Sequence, residues 1–192
     1  MPSGLLLAAG AGRRMGRPKA LVELEGEPLV ARALRTLVDG GAAPVVVVLG
    51  AEATRVRAVL PAGVWAVEAP DWADGMSASL RAGLRALDAT PADAAVVQLV
   101  DLPGVTAAVV ARLAAVTSRD VLARAAYGGR PGHPVLLGRA HWAGVCAAAV
   151  GDAGARGYLA GRADVALVEC GDLAEPDDVD TPEQLAAFRR RD

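Results

Sequence analysis

Short apolar runs alternate with longer amphipathic segments through the first half of the chain. The runs LLLAA, PVVVVLG and AAVVQLV are apolar at successive positions rather than at every second position. This pattern is typical of strands that helices cover on both faces of a mostly parallel sheet. The alternation predicts β-α-β units and an α/β fold, a Rossmann-like three-layer sandwich. The elements predicted in this half span residues 4–9, 28–39, 44–49, 52–60, 65–69, 76–87 and 94–100.

The second half of the chain is less regular and has the pattern of an inserted, loop-rich region. A Gly/Pro-rich stretch, GGRPGHP, predicts a turn between a strand at 121–126 and the apolar run VLLG. The last helix is better defined, because Thr181 can cap it and Pro182 suits its first position. The other predictions are helices at 106–115, 139–149 and 181–190, and a strand at 163–168.

Composition indicates one packed domain. The chain has 192 residues, 53% of them hydrophobic and 22% charged, and we expect a single domain over 1–192. A net charge of -2 argues against nucleic acid or a membrane surface as a partner. Cys146 and Cys170 form no CxxC pair and have no histidine at metal-ligand spacing, so no zinc site or disulfide framework is predicted. The N-terminal apolar run is short and lacks a basic flank, so we expect a soluble, cytoplasmic protein.

A glycine-rich basic loop follows the first predicted strand. Gly10 and Gly12 allow a ligand to approach the backbone closely, and exposed amides can face phosphate oxygens. Met15 stands where a dinucleotide fingerprint would have its third glycine, and no Ser or Thr follows Lys19 as in a Walker A loop. The added charge of Arg14 and Lys19 fits a triphosphate better than a dinucleotide. A solvated basic turn is the alternative.

Aspartates mark two further places where a ligand can bind. Asp101 follows the apolar strand that is predicted to end at Val100. A carboxylate there can be the first protein ligand of Mg²⁺, and the alternative is an Asx-type turn that caps the next helix. Asp178 and Asp180 directly precede the last predicted helix. Metal binding by Asp180, or in second place by Asp178, and a role at the helix N-terminus are both open.

Polar side chains also begin the helix predicted at 76–87. The hydroxyls of Ser77 and Ser79, with the free amides after Gly75, can hold a phosphate of a second substrate, or they can cap the helix.

The Gly/Pro-rich stretch adds a histidine to the candidates. His133 has Arg130 nearby, and the two can contact a second substrate or its phosphate. A surface-loop histidine without a ligand is the alternative. Asp152 and Arg156 stand four residues apart, and form either a local ion pair or part of the pocket for a second substrate.

The segment from Leu7 to Gly16, followed by Pro18 and Lys19, resembles the signature loop of the nucleotidyltransferases that activate sugars, isoprenoid precursors and molybdopterin. In that family the loop wraps the nucleoside triphosphate. The resemblance therefore implies nucleotide contacts for Leu7, Ala8, Ala9, Gly10 and Gly12. It also implies charge neutralisation of the phosphates by Arg14 and Lys19, and a metal site on Asp101 that Asp180 can complete.

Within the MobA-like nucleotidyltransferases, the chain is similar to the molybdenum cofactor cytidylyltransferase group. The similarity lies in PDWADGMSASLRAGL at 70–84, GHPVL at 132–136 and GDAGAR at 151–156. It implies that the acceptor is bound by Trp72, Gly75, Ser77, Ser79 and His133. Ala9 stands where guanylyltransferase relatives usually have a second glycine, which favours cytidine over guanosine.

The resemblance implies transfer of CMP from CTP to the phosphate of molybdopterin, with Mg²⁺ as cofactor and pyrophosphate as the leaving group. A nucleotide-binding half would span about 1–103 and an acceptor-binding half about 104–192. A molybdoenzyme or its chaperone would be the protein partner. The alternatives are a guanylyltransferase of molybdopterin or of another small phosphorylated acceptor, and a non-catalytic module that binds molybdopterin or a nucleotide.

Overall fold

A seven-stranded sheet forms the centre of the molecule in the computed structural model, which describes residues 1–190. Its strand order is β5-β4-β1-β6-β8-β7-β9, and a separate antiparallel ribbon pairs β2 with β3. The strands are β1 (Ser3–Leu7), β2 (Glu23–Leu24), β3 (Glu27–Pro28), β4 (Val45–Leu49), β5 (Trp65–Glu68), β6 (Ala94–Leu99), β7 (Leu122–Tyr127), β8 (Arg130–Gly138) and β9 (Ala166–Glu169).

Helices lie on both faces of this sheet. They are α1 (Leu29–Asp39), α2 (Ala53–Ala58), α3 (Met76–Leu87), α4 (Ala107–Ala114), α5 (Trp142–Ala148), α6 (Arg156–Leu159) and α7 (Pro182–Phe188). Short 3-10 helices occur at Lys19–Leu21, Trp72–Asp74, Arg139–His141 and Gly151–Ala153. β8 runs antiparallel to β6 and β7, and the other four strand pairings of the sheet are parallel. The predicted α/β fold with a mostly parallel sheet is confirmed.

The side chains of successive residues in β1 pack into two hydrophobic cores, one on each face of the sheet. Leu5 packs on the side of α3 and α5, and Leu6 packs on the opposite side with α1 and α4, each with no exposed surface. Because both faces are covered, strand residues need no alternation of apolar and polar side chains. This explains the continuous apolar runs of the sequence.

Helix α3 lies unusually close to β1 because it carries a glycine at the contact. A Cβ atom added at Gly83 would lie 2.2 Å from Cδ1 of Leu5. Any larger residue there would push the helix away from the strand. The start of α3 is therefore placed at a fixed distance from the loop that follows β1.

The stretch predicted as a Gly/Pro-rich turn is mostly strand. The chain reverses only at Gly128 and Gly129, whose φ angles are 58° and 75°, and β8 already begins at Arg130. Pro131 pairs with Ala126 beside an irregularity in the β7–β8 register, where a missing amide donor is tolerated. His133 consequently lies on a strand of the sheet and not in a surface loop.

Other predicted elements are present with shifted ends. The first strand stops at Leu7, and the last helix covers Pro182–Phe188. The predicted strand at 163–168 begins later, as Ala166–Glu169. None of the helices in residues 1–190 has the length and apolar character needed to cross a lipid bilayer.

The order of the strands determines where a ligand can bind. β1 lies between β4 and β6, so the chain leaves β1 toward one edge of the sheet and later returns on its other side through β6. In open α/β sheets, ligands bind beyond the carboxyl ends of strands at such a switch point. The loop after β1 and the segment that contains Asp101 after β6 meet there.

Candidate active site

A cleft of about 380 Å³ opens at the carboxyl ends of β1 and β6. One wall is the glycine-rich loop, and the opposite wall is the segment that leads into α3. Its lining residues are Leu7, Ala9, Gly10, Ala11, Gly12, Arg13, Arg14, Lys19, Trp72, Ala73, Gly75, Met76, Ser79, Leu99, Val100, Asp101 and Asp152. Most predicted nucleotide-binding residues thus share one cleft with part of the predicted acceptor segment. Ala8 does not line it, because its side chain is buried in the core.

The two glycines of the loop serve different purposes. Gly12 has a φ of 61°, and a Cβ atom there would lie 1.9 Å from the carbonyl oxygen of Arg17, so only glycine closes this loop. A Cβ atom at Gly10 would have no atom within 4 Å, so it would stand in open space on the cleft side. Met15, at the position of the missing third glycine, is buried and anchors the loop to the core.

Lys19 joins two carboxylates that are far apart in the sequence. Its Nζ donates to Oδ2 of Asp101 at 2.6 Å and also to Oδ1 of Asp180. Arg14 contacts the other oxygen of Asp180 at 2.7 Å. The side chains of Lys19, Asp101 and Asp180 are 16–20% exposed, whereas Arg14 is 72% exposed. The site therefore holds three mostly buried charges and one exposed guanidinium.

Charge interactions change the pKa values of this cluster. Burial alone would lower the pKa of Lys19, but Asp101 and Asp180 outweigh it and raise that pKa above the ordinary lysine value. Burial acts to raise the pKa of Asp180, yet Lys19 and Arg14 lower it overall. The pKa of Asp178 is raised by burial and then by the charges of Asp101 and Asp180. The cluster thus favours a charged Asp180 and disfavours a further negative charge beside it.

Asp180 is held in place by backbone and capping contacts. The amide of Val179 donates to the carbonyl oxygen of Asp101 at 2.9 Å. Thr181 caps α7 as predicted, and the Gln184 side chain completes a capping box. Oε1 of Gln184 accepts from the amides of Asp180 and Thr181 at 2.8 and 3.0 Å. Sequence reasoning missed this role of Gln184, although the Thr-x-x-Gln spacing is its signal.

The donor set fits a divalent cation. Oδ1 of Asp101 is buried and has no hydrogen-bond partner among residues 1–190. Asp180 supplies further oxygen atoms, which contact Lys19 and Arg14. Mg²⁺ is commonly held by one or two carboxylates together with substrate phosphates. No group of three or more His, Cys, Asp or Glu side chains within residues 1–190 forms a metal cage. A cation here would thus depend on oxygen atoms of a ligand.

The predicted acceptor segment is only partly directed at the cleft. Trp72, Gly75 and Ser79 line it, but Ser77 is buried and its Oγ accepts from the amide of Gly154 at 3.1 Å. Gly75 has a φ of 112°, and a Cβ atom there would lie 2.5 Å from the carbonyl carbon of Gly151. Ser77 and Gly75 therefore have packing roles that sequence reasoning did not foresee.

Asp152 belongs to the same wall. Its Oδ1 accepts from the amide of Met76 at 3.3 Å at the start of α3, and its side chain lines the cleft. The ion pairs found among residues 1–190 do not include one between Asp152 and Arg156. Of the two roles considered for Asp152, the structure supports the position in the pocket wall.

A glycine connects the two walls of the cleft. Gly50 follows β4, and a Cβ atom there would lie 2.7 Å from Cβ of Ala9 and 2.6 Å from Cγ of Trp72. Ala9 belongs to the glycine-rich loop and Trp72 to the opposite wall. Because only glycine fits between them, these two side chains are packed against one backbone position.

His133 lies outside the residues that line the cleft. Its Nδ1 is buried without a hydrogen-bond partner, and burial, followed by the charge of Arg124, lowers the pKa of the imidazole to about 4. Arg130, the neighbour expected from the sequence, is exposed, and Arg124 on the adjacent strand β7 is the cation beside His133. Strand β7 thus brings the charge of Arg124, nine positions away in the sequence, close enough to act on His133.

The fold and this cleft define a class of α/β proteins that handle nucleoside triphosphates at the carboxyl end of a mostly parallel sheet. A family model described as the MobA-like NTP transferase domain matches residues 4–167. The chain therefore belongs to the MobA-like NTP transferase family.

Two relatives illustrate the range of names in this family. Nicotine blue oxidoreductase of Paenarthrobacter nicotinovorans is 38% identical in an alignment 193 positions long. This alignment covers 95% of this chain and 94% of that protein. The molybdenum cofactor guanylyltransferase of Rhodobacter capsulatus is 35% identical over 147 residues, or 73% of this chain and 65% of that protein.

A solved structure agrees over nearly the whole chain. The crystal structure of Rv0371c from Mycobacterium tuberculosis H37Rv has a TM-score of 0.83 at 26% identity, covering 98% of this chain and 97% of that one. A second crystal structure of Rv0371c, in complex with manganese, has a TM-score of 0.78, with the same identity and coverage.

Proposed function

We propose that this protein transfers CMP from CTP to the phosphate of a molybdopterin-type acceptor and releases pyrophosphate. The observation that carries the proposal is the contact of Lys19 with Asp101 and Asp180 beside the open face of Gly10. Lys19 and Asp101 line the cleft together with Gly10, and Asp180 is in contact with Lys19 although it is not among the lining residues. This arrangement suits charge stabilisation in phosphoryl transfer better than covalent catalysis.

In the proposed reaction, an oxygen of the acceptor phosphate attacks the α-phosphorus of the nucleotide in line. The bond from the α-phosphorus to the bridging oxygen breaks, and pyrophosphate leaves with the electron pair. The attacking phosphate is already ionised, so no side chain has to act as nucleophile or base. The protein contributes orientation and charge: the loop around Gly10 and Gly12 holds the phosphates, and Lys19 and Arg14 neutralise them.

Asp101 and Asp180 would hold a Mg²⁺ ion, as their buried and shared oxygens fit such a ligand. When bound, the ion would supply positive charge at the phosphate oxygens. The manganese complex of Rv0371c supports a divalent cation in this fold. Asp178 is the less suitable second ligand, because burial and then neighbouring negative charges raise its pKa, and Lys19 contacts Asp180 instead.

The choice of CTP rests on Ala9. Guanylyltransferase relatives usually have a glycine at this place, and here Ala9 lines the cleft while its methyl group packs against Gly50. GTP is the alternative donor, because the Rhodobacter capsulatus relative is named a guanylyltransferase. Trp72, Ser79 and Asp152 on the opposite wall would contact the acceptor.

A second candidate is an oxidoreductase. The near full-length relative from Paenarthrobacter nicotinovorans carries that name, so a redox reaction at the same cleft is a reasonable competitor. Oxidation of NADPH or NADH in the presence of nicotine blue would support it. The ion pairs of Lys19 with Asp101 and Asp180 favour phosphate chemistry over a redox reaction. If this protein is a nucleotidyltransferase, we expect no oxidation of NADPH or NADH in this assay.

The deciding experiment measures pyrophosphate release with Mg²⁺ and molybdenum-loaded molybdopterin, comparing CTP, GTP, ATP and UTP. We expect a CTP-selective signal that Asp101→Asn abolishes and that Lys19→Ala lowers by about two orders of magnitude or more. The matched controls are Asp39→Asn on the exposed end of α1 and Arg17→Ala in the same loop outside the cleft. GTP selectivity would identify a guanylyltransferase, and tight nucleotide binding without pyrophosphate release would indicate a binding module.

A further inference from the structure

Lys19 occupies the oxygen atoms that a divalent cation would use. Its ammonium group contacts Oδ2 of Asp101 and Oδ1 of Asp180, so two carboxylates share one positive charge. Arg14 takes the second oxygen of Asp180. Only Oδ1 of Asp101 is left without a partner in this cluster.

Four charged groups of the cluster are in direct contact, and their charges cancel. Lys19 and Arg14 contribute two positive charges, and Asp101 and Asp180 contribute two negative charges, with Asp178 as a further carboxyl group nearby. A bare divalent cation that binds Asp101 and Asp180 must compete with an ammonium group in direct contact with both. A nucleoside triphosphate changes this balance, since its phosphate oxygens offer Lys19 and Arg14 other anionic partners.

We propose that Lys19 keeps free divalent cations away from Asp101 and Asp180, so that the cation enters only as its complex with the nucleoside triphosphate. Lys19 then determines the form in which the substrate is accepted, in addition to neutralising phosphate. The identity of the nucleotide rests on the proposed function. The exclusion of the free cation rests on the ion pairs alone.

The test is a titration with Mn²⁺ in the absence of nucleotide, followed by electron paramagnetic resonance of the free ion. Lys19→Met is expected to bind Mn²⁺ about tenfold more tightly than the wild type, within the usual range of coupling between sites. Lys19→Arg keeps the charge and is expected to bind as weakly as the wild type. Adding Asp101→Asn to Lys19→Met should remove the gain.

Equal or weaker Mn²⁺ binding by Lys19→Met would overturn the proposal, as would a gain that survives Asp101→Asn. Thermal unfolding establishes that each variant is folded, and Lys19→Gln replaces Lys19→Met if the latter is not. In a second measurement, the wild type is titrated with the Mn²⁺ complex of a non-hydrolysable CTP analogue. It is expected to bind at least about tenfold more tightly than free Mn²⁺, and equal affinities would contradict the proposal.

Failure of the proposed function would be visible separately. In that case none of the four nucleotides would release pyrophosphate with the acceptor. The Mn²⁺ affinities of Lys19→Met and Lys19→Arg would still differ as described, and the exclusion of the free cation would stand.

Discussion

The backbone amide of Val179 donates to the carbonyl oxygen of Asp101 at 2.9 Å. This bond attaches the segment before α7 to the residue that follows β6, although the two are far apart in the sequence. Val179 is almost completely buried, so the attachment is part of the core. Asp180, the next residue, is thereby brought to Lys19.

Gln184 is expected to position Asp180. Gln184→Ala removes the acceptor for the amides of Asp180 and Thr181, so it should cost about 1 kcal/mol of stability, as other lost helix caps do. For a chain of this size, that lowers the melting temperature by about 2–4 °C. The rate of pyrophosphate release should fall by more than the loss of folded protein accounts for. Gln184→Glu keeps an acceptor oxygen and should resemble the wild type in both measurements; equal losses of activity in the two variants would refute the positioning role.

Replacing Gly10 or Gly12 by alanine is expected to affect different properties: ligand affinity for Gly10 and thermal stability for Gly12. Gly12→Ala forces a side chain against the carbonyl oxygen of Arg17 at a positive φ, so thermal unfolding should occur well below that of the wild type. Gly10→Ala meets no protein atom, so its melting temperature should be unchanged. Its methyl group would occupy ligand space, and CTP affinity by calorimetry should weaken by about 1–3 kcal/mol. Unchanged CTP binding by Gly10→Ala would place the phosphates elsewhere.

Ala9→Gly is expected to shift the choice of base. Ala9 lines the cleft and its methyl group packs against Gly50, so its removal is expected to change the space for the base. The ratio of kcat/KM for CTP over GTP should then fall by about tenfold, a common effect of one methyl group in a pocket. Competition between the two nucleotides in one reaction measures it directly. Ala11→Gly, in the same loop and also on the cleft, serves as the control. An unaltered ratio in Ala9→Gly would mean that the base is selected by other residues.

Glu169 is expected to make stability depend on pH. Its carboxylate accepts from the amides of Gly129, Gly171 and Gly128 at 2.9–3.0 Å, and these bonds lower its pKa in the folded protein. A lowered folded pKa stabilises the native state above the unfolded value of about 4.3, and this contribution is lost as the pH falls through the folded pKa.

Glu169→Gln should therefore melt below the wild type at pH 7, and the difference should shrink as the pH is lowered below about 4. Thermal unfolding between pH 3 and 7 measures it. Glu68→Gln, at the end of the opposite edge strand β5, is expected to have little effect at any pH in this range. A gap between Glu169→Gln and the wild type that is constant with pH would contradict the role of the carboxylate charge.

The first half of the fold was predictable because its signals are local. Continuous apolar runs predict buried parallel strands, and the glycines and basic residues after β1 predict a phosphate loop. The cap at Thr181 was equally local. These features depend on residues that are neighbours in the sequence, so periodicity and spacing suffice to find them.

The rest of the site depends on contacts between distant segments. Lys19 meets partners 82 and 161 residues away, and nothing in the spacing distinguishes Asp178 from Asp180. The prolines of the 128–134 stretch predicted a turn, but an irregular edge of the β7–β8 pair accommodates one of them in a strand. The influence of Arg124 on His133 could not be predicted for the same reason, because strand pairing and not proximity in the chain brings the two together.

Gly50 couples the two walls of the cleft. Ala9 and Trp72 both pack against this backbone position, one in the glycine-rich loop and the other on the opposite wall of the cleft. A change at Ala9 is therefore expected to alter the support of Trp72 as well. If the proposed function holds, a substitution at Ala9 that changes the preferred nucleotide should also change the affinity for the acceptor.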